Sequence, residues 1–553
     1  MTGAGVHEIA DRYVEEFARL DPCAATDAGI PGHDHEITDW SPAGTAARLD
    51  CNRRTLATLA AIEPADEHER RSIAVMVERL RTEVAFADHD EHLRPLRIIG
   101  SPIQDVRQCF DLMPTETDDD WAVIGERMRS VPVALDRITE SLGAGIASGV
   151  VAARRQALAC ADQAEAWSAS SPFFRELAAR RPDDADLAAA ADAATAAYAR
   201  LGAYLRDEYA PLADPRDPVG RERYARFADA FNGIELDLDE TYAWGFAELH
   251  RIEARMAEVA ERIRPGATVD EAIAFIESDP ERTIAGAHAF RAWNQDLIDA
   301  TIEALDGVHF DIAPELRRCE AMIAPPGGAA TMYYTAPSED FSRPGRTWYP
   351  TLGTERFPTW REVSTCFHEA VPGHHLQIGR IRLLGDRLTR WQRLFGFVSG
   401  HGEGWALYAE RLMGELGFLE DPAHEMGMLA AQAMRAVRVV VDIGMHLELT
   451  IPADEEFHPG ETWTPDLALP FVIGRSRFPE AFMRSEVDRY LGWPGQAISY
   501  KVGERIWLEG RDAARRTAGP RFDLRAFHSY ALDLGGMGLG LLREELGRMP
   551  TGP

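Results

Sequence analysis

Lysine is almost missing from this chain: Lys501 is the only one, and arginine supplies every other basic side chain. Acidic residues outnumber basic ones by 90 to 59, for a formal net charge of −31. A surface this anionic repels phosphate backbones and anionic headgroups, so neither nucleic acid nor membrane is expected as a main partner. No run of about 18 apolar residues occurs, so no membrane span is expected. The start, Met1-Thr2-Gly3-Ala4-Gly5-Val6-His7-Glu8, lacks the basic opening and apolar core of a signal peptide, and a cytoplasmic address is expected. Cysteine is sparse too. Cys23, Cys51, Cys109, Cys160, Cys319 and Cys366 are scattered without C-x-x-C spacing and read as reduced core residues, not as a disulfide frame or zinc ribbon.

What is present is helical texture. In residues 1–215 Ile9, Tyr13, Phe17 and Leu20 recur at helical spacing, and alanine-rich runs such as 186–199 continue the pattern. The Pro- and Asp-rich stretch Pro211 to Pro218 marks a boundary, after which residues 216–553 form a second region. Between about 319 and 352, short β-prone runs around Met322, Thr331-Met332-Tyr333-Tyr334-Thr335 and Trp348 are separated by Pro and Gly, which predicts a small antiparallel sheet. A second helical region resumes near 360. The fold expected is mainly α, a large helical body with that sheet beside the central helix and a deep channel.

The stretch His368-Glu369-Ala370-Val371-Pro372-Gly373-His374-His375 carries the chemistry. A zinc-hydrolase helix has H-E-x-x-H, with two imidazoles one turn apart and a glutamate beside the metal's water. Here position i+4 from His368 is Pro372, and the next histidines stand at i+6 and i+7. On a straight helix i+6 is turned by about 240° and i+7 lies about 10 Å along the axis, neither of which suits a shared ion. Pro372 cannot donate to the His368 carbonyl, and Gly373 admits turns closed to other residues. A break at Pro372-Gly373, within a zinc helix expected at about 360–378, would swing His374 or His375 back towards His368; a kinked core helix with hydrogen-bonded histidines is the alternative. Thr359 and Glu362 have capping-box spacing for the start of this helix.

Further along, Glu403 and Glu410 lie seven residues apart on one helical face, within the buried-looking run Trp405, Leu407, Tyr408. Buried carboxylates call for a cation, which makes Glu403 a candidate third ligand. Arg435, Arg438, Asp442 and His446 form a polar stripe on an otherwise apolar helix, either a wall of the site or a solvated face with i,i+4 pairs. Ser499-Tyr500-Lys501 offers a phenol and a cation.

These motifs together, H-E-A-V-P-G-H-H-L-Q, G-E-G-W-A-L-Y-A-E, R-x-x-R-x-x-x-D-x-G-x-H and P-G-Q-A-I-S-Y-K-V-G, resemble a bacterial family catalogued as a domain of unknown function. That family is distantly similar to carboxypeptidase Taq and the thimet oligopeptidase group, which are helical zinc peptidases. The resemblance implies His374 as the second ligand, with His375 in a variable place. It also implies Glu403 as a ligand backed by Glu410, and Tyr500 as a substrate-contacting phenol. The expected protein is a zinc metallopeptidase, carboxypeptidase-like, holding one Zn²⁺ per chain on His368, His374 and Glu403. Glu369 is the expected general base, and Tyr500 or His446 the oxyanion partner. Glu410, Asp442 and His375 would support the ligands. Arg435, Arg438, Lys501, Tyr333 and Tyr334 would bind a short peptide or peptide-like substrate. A homodimer stays open, as do a zinc amidase or esterase for a small molecule and an inactive helical binding protein.

Overall fold

The computed structural model describes residues 5–170, 172–324, 332–338, 341–351 and 353–549, and it is mainly α-helical. The chain divides into two compact units: Met1–Val219 with Thr389–Phe395 and Asp488–Trp493, and Gly220–Leu388 with Gly396–Val487 and Pro494–Pro553.

The first unit is built on the helix Asp118–Ser148. Thr117 and Asp120 close a capping box at its start, and Gly149 ends it in the left-handed conformation. Trp121, Ile124, Met128, Val131, Leu135, Ile138 and Leu142 recur every three or four residues and are buried. The helix Ala185–Ala203 shares that core through buried Ala190, Ala191, Ala194 and Ala197.

In the second unit we name α1 (Leu238–Ile263), α2 (Glu362–Glu369), α3 (His374–Leu383), α4 (Ser399–Glu415), α5 (Pro422–Leu447) and α6 (Ser499–Ala518). α5 is buried on nearly every side from Leu429 to His446, so its polar stripe faces protein and not solvent. α1 packs on α5 at Gly245, which leaves no room for a side chain against Val439. α4 and α6 cross at Gly400, Gly404 and Gly503, where the backbones touch.

The strands are β1 (Thr283–Ala285), β2 (Cys319–Ile323), β3 (Tyr333–Thr335), β4 (Gly345–Tyr349) and β5 (Arg356–Pro358). β1 and β5 pair antiparallel. The larger sheet has the order β2-β4-β3 and is mixed, not antiparallel as expected: β3 pairs antiparallel with β4, Tyr333 opposite Trp348, while β2 runs parallel to β4, Cys319 opposite Gly345. The segment from β2 to β3 is longer than a hairpin turn, so β4 takes the place between them and β2 meets it from the other side. Thr331 and Leu352, read as part of this sheet region, lie outside the described residues. The expected capping box is also absent. Thr359 gives its hydroxyl and its N–H to the Arg282 carbonyl instead, and α2 begins at Glu362 behind Arg361. Glu362 is turned inward, where burial pushes its carboxyl up to about 7.

A methyl group at Gly503 would lie 2.0 Å from the Gly400 carbonyl oxygen. Gly503→Ala is therefore expected to lower unfolding stability by about 2 kcal/mol or more, an overpacking cost. Urea unfolding measures it; an unchanged midpoint would show that the two helices part freely.

Candidate functional site

α2 ends at Glu369, and α3 begins at His374 after a turn that contains the cis Val371–Pro372 bond. Backbone bonds close the turn from Gly373 to the Phe367 carbonyl (3.0 Å) and from His375 to the Ala370 carbonyl (3.1 Å). Trp405 Nε1 donates to the Pro372 carbonyl (2.9 Å), which ties the turn to α4. Gly373 is obligatory there, since a Cβ would sit 1.9 Å from the His368 carbonyl oxygen. The break sets the two imidazoles edge to face, with centroids 4.9 Å apart.

Glu403, from the first turns of α4, closes the group. Its Oε2 lies 3.4 Å from His368 Nε2 and 3.4 Å from His374 Nε2. One ligand atom from each of the three residues falls within 4.8 Å of the others. For bonds of about 2.0–2.1 Å, tetrahedrally arranged donor atoms sit about 3.3–3.4 Å apart, so the two imidazole–carboxylate spacings and the His₂Glu donor set fit a zinc ion. His368 is aimed by its other nitrogen: Nδ1 donates to Glu410 Oε1 (2.8 Å), one face-repeat along α4 from Glu403. Ser364, one turn before His368, donates its hydroxyl to Glu410 Oε2 (2.5 Å).

Electrostatics follow from burial and pairing. Burial alone would keep His368 neutral, but its bonds to Glu403 and Glu410 outweigh this and raise it to about 9. Burial likewise opposes charge on Glu403, yet the two imidazoles hold its carboxyl far below the usual range. Glu410 is also kept ionised against burial, by Arg435, His368 and Ser364. Glu369 is buried beside His368, and no described residue hydrogen-bonds or ion-pairs with its carboxylate. Tyr500 stacks on the His368 ring at 6.4 Å, and the Arg435 and Arg438 guanidiniums lie 5.7 and 4.7 Å over the phenol ring.

The structure thus brings His368, His374, Glu403, Glu410, Arg435 and Tyr500 together, with buried Glu369 next to His368 in the chain. It sends the other candidates elsewhere. His375 points away from the cluster: it bonds the Tyr334 hydroxyl (2.9 Å) and the Leu316 carbonyl (2.9 Å), and burial pushes it down to about 4. Tyr334 is therefore a strut between β3 and α3, and Tyr333 stacks on Trp348. Asp442 orients no ligand imidazole; it accepts from the Tyr224 hydroxyl (2.7 Å) and the Gly495 N–H (2.9 Å). His446 packs against Tyr224 and Asp442, two turns of α5 beyond Arg438. Arg438 is held by buried Glu486 (2.6 Å). Lys501 is fully enclosed by Glu248 (2.7 Å), Gln432 (2.8 Å) and Glu504, which leaves it nothing for a substrate. Ser364 and Trp405 were missed as supporting groups. Ser364 had a readable signal, its place one turn before His368; the Trp405 bond to the turn had none.

The chain belongs to the family described as bacterial protein of unknown function (DUF885), whose model matches residues 22–546. Its fold is that of a presumed lipoprotein from Colwellia psychrerythraea, with a TM-score of 0.84 at 22% identity over 98% of this chain and 99% of that one. A presumed lipoprotein of unknown function from Shewanella oneidensis has a TM-score of 0.75 at 16% identity, over 98% and 99%. At such identities the likeness establishes the fold alone. No curated protein matches the chain closely enough to count. Among the described residues, no helix is long and apolar enough to cross a membrane.

The enclosure of Lys501 has a measurable consequence. Lys501→Met would remove the buried cation between Glu248 and Glu504 and leave them Arg251 and Arg411, at an expected cost of about 1.5–3 kcal/mol in urea unfolding, that of a lost charged hydrogen bond. Burial works against the Glu248 charge, but Arg251 and Lys501 overcome it and lower that carboxyl from 4.5 to about 2. The pair's contribution is thus complete above the ordinary glutamate range and is lost as pH falls towards 2. A Lys501→Met protein as stable as wild type at pH 7 would contradict the pairing.

Proposed function

We propose that this protein is a zinc-dependent hydrolase of peptides or peptide-like amides. The observation that carries the reading is the convergence of His368 and His374 on Glu403 Oε2, each Nε2 at 3.4 Å from it, with a buried glutamate, Glu369, directly after the first ligand. A zinc ion held there would polarise a carbonyl and make a water acidic enough to attack near neutral pH. Glu369 takes the proton from the attacking water and passes it to the leaving amine. Tyr500, stacked over His368, offers its phenol to the oxygen that gains negative charge. Glu410 holds His368 in one tautomer and one orientation, and Ser364 holds Glu410. Free, buried cysteines suit a reducing compartment, in keeping with a cytoplasmic address.

Metal analysis of the purified protein tests the ligand set. We expect about one zinc per chain, most of it lost in Glu403→Ala and in His374→Ala, and retained in His375→Ala. Glu410→Gln should weaken zinc binding about 10- to 100-fold. Zinc retained by Glu403→Ala but lost from Glu410→Ala would reverse the two roles. Turnover of a peptide library tests the base: Glu369→Gln should keep its zinc and lose about 10²- to 10⁴-fold in rate. Near-wild-type turnover at full zinc would assign the proton transfer to another group.

A further inference from the structure

We infer that Arg435 is the receptor for a carboxylate on the substrate, an inference that rests on the hydrolase reading above. Arginine presents a planar fork of N–H donors, and burying them unbonded is costly. The Arg435 side chain is 11% exposed. None of its donors makes a hydrogen bond to a described residue, and Nε is closed to water as well. The nearest acidic atom is Glu410 Oε1, at 3.6 Å, outside hydrogen-bond reach. Glu410 is in any case engaged, one oxygen with His368 Nδ1 and the other with the Ser364 hydroxyl.

Its neighbours are treated differently. Arg438 has Glu486 at 2.6 Å, and Lys501 has Glu248 and Gln432 at 2.7 and 2.8 Å as well as Glu504. Arg411 has Glu504 at 2.7 Å. The unit pairs these cations closely, so the open donors of Arg435 mark a place for a partner that arrives with the substrate.

Position agrees with that role. The Arg435 guanidinium lies 5.7 Å over the Tyr500 ring, which itself stacks on His368 at 6.4 Å. Each substrate residue spans about 3.8 Å, so a carboxylate one or two residues from the scissile bond reaches the guanidinium. The planar fork matches a carboxylate with two parallel bonds. That carboxylate is either the substrate's own C-terminus or an acidic side chain near the cut. The chemistry recognised is the same, and the experiment separates the two.

Zinc-loaded Glu369→Gln protein is titrated calorimetrically with four N-acylated peptides. One pair differs only in a free or an amidated C-terminus; the other pair is amidated throughout and carries Asp or Asn beside the scissile bond. We expect a carboxylate-bearing peptide to bind about 10-fold or more tighter than its neutral partner. If the free-acid peptide wins, the C-terminus is read; if the Asp peptide wins, the side chain is. Adding Arg435→Met should equalise the winning pair, and Arg435→Lys should keep part of the preference. Should Arg435→Met misfold, the Arg435→Lys protein decides by losing several-fold of the discrimination. Equal binding of all four peptides at full zinc overturns the inference and leaves the hydrolase reading in place. So does a preference that survives both substitutions. A Glu369→Gln protein that takes up no zinc removes the reading itself, and the inference with it.

Discussion

The hydrogen bond from His368 Nδ1 to Glu410 is the constraint on which the site depends. An imidazole can present a lone pair in a fixed direction only if its other nitrogen is claimed, and here that claim is made by a carboxylate with 0% exposure. A carboxylate so deep would be expensive unless its own lone pairs were satisfied. Ser364 satisfies one side, and the Arg435 charge nearby favours the ionised form. Because α2 carries both Ser364 and His368 while α4 carries both Glu403 and Glu410, one helix pair positions two residues of the cluster and the two groups that hold His368.

The other residue of the cluster needs a different solution. A regular helix through residues 368–374 would place His374 on another face. The turn at Pro372-Gly373 resolves this by ending one helix and starting a second at a new angle, and Trp405 fastens the turn to α4. The support beneath is stiff. α5 is buried almost all round, and the glycine crossing of α4 and α6 admits no side chain between the backbones. Rigid elements of this kind hold a ligand geometry within the narrow tolerance a metal demands.

Much of this was legible in the sequence, for identifiable reasons. The mainly α class followed from helical periodicity, and the break at Pro372 from the chemistry of proline. His368, His374 and Glu403 stood out because their residue types and order suit a metal even though the spacing is unusual. The failures share one cause, the pairing of residues far apart in the chain. Lys501 was conspicuous as the lone lysine, but its partner Glu248 lies 253 positions away. Arg438 and Asp442, four apart, suggested a pair on a helix face. In a helix buried on every side they meet different neighbours, Glu486 for one and Tyr224 for the other. The parallel pairing of β2 with β4 was equally hidden, because strand order is a property of the tertiary fold and not of any local run.

X-ray absorption at the zinc edge of the metal-loaded protein tests the central claim most directly. The account predicts one ordered zinc with two imidazole nitrogens at about 2.0–2.1 Å and a carboxylate oxygen at about 2.0–2.2 Å, the imidazole signature halving in His374→Ala. A shell made only of oxygen, or a spectrum unchanged in His374→Ala, would contradict it.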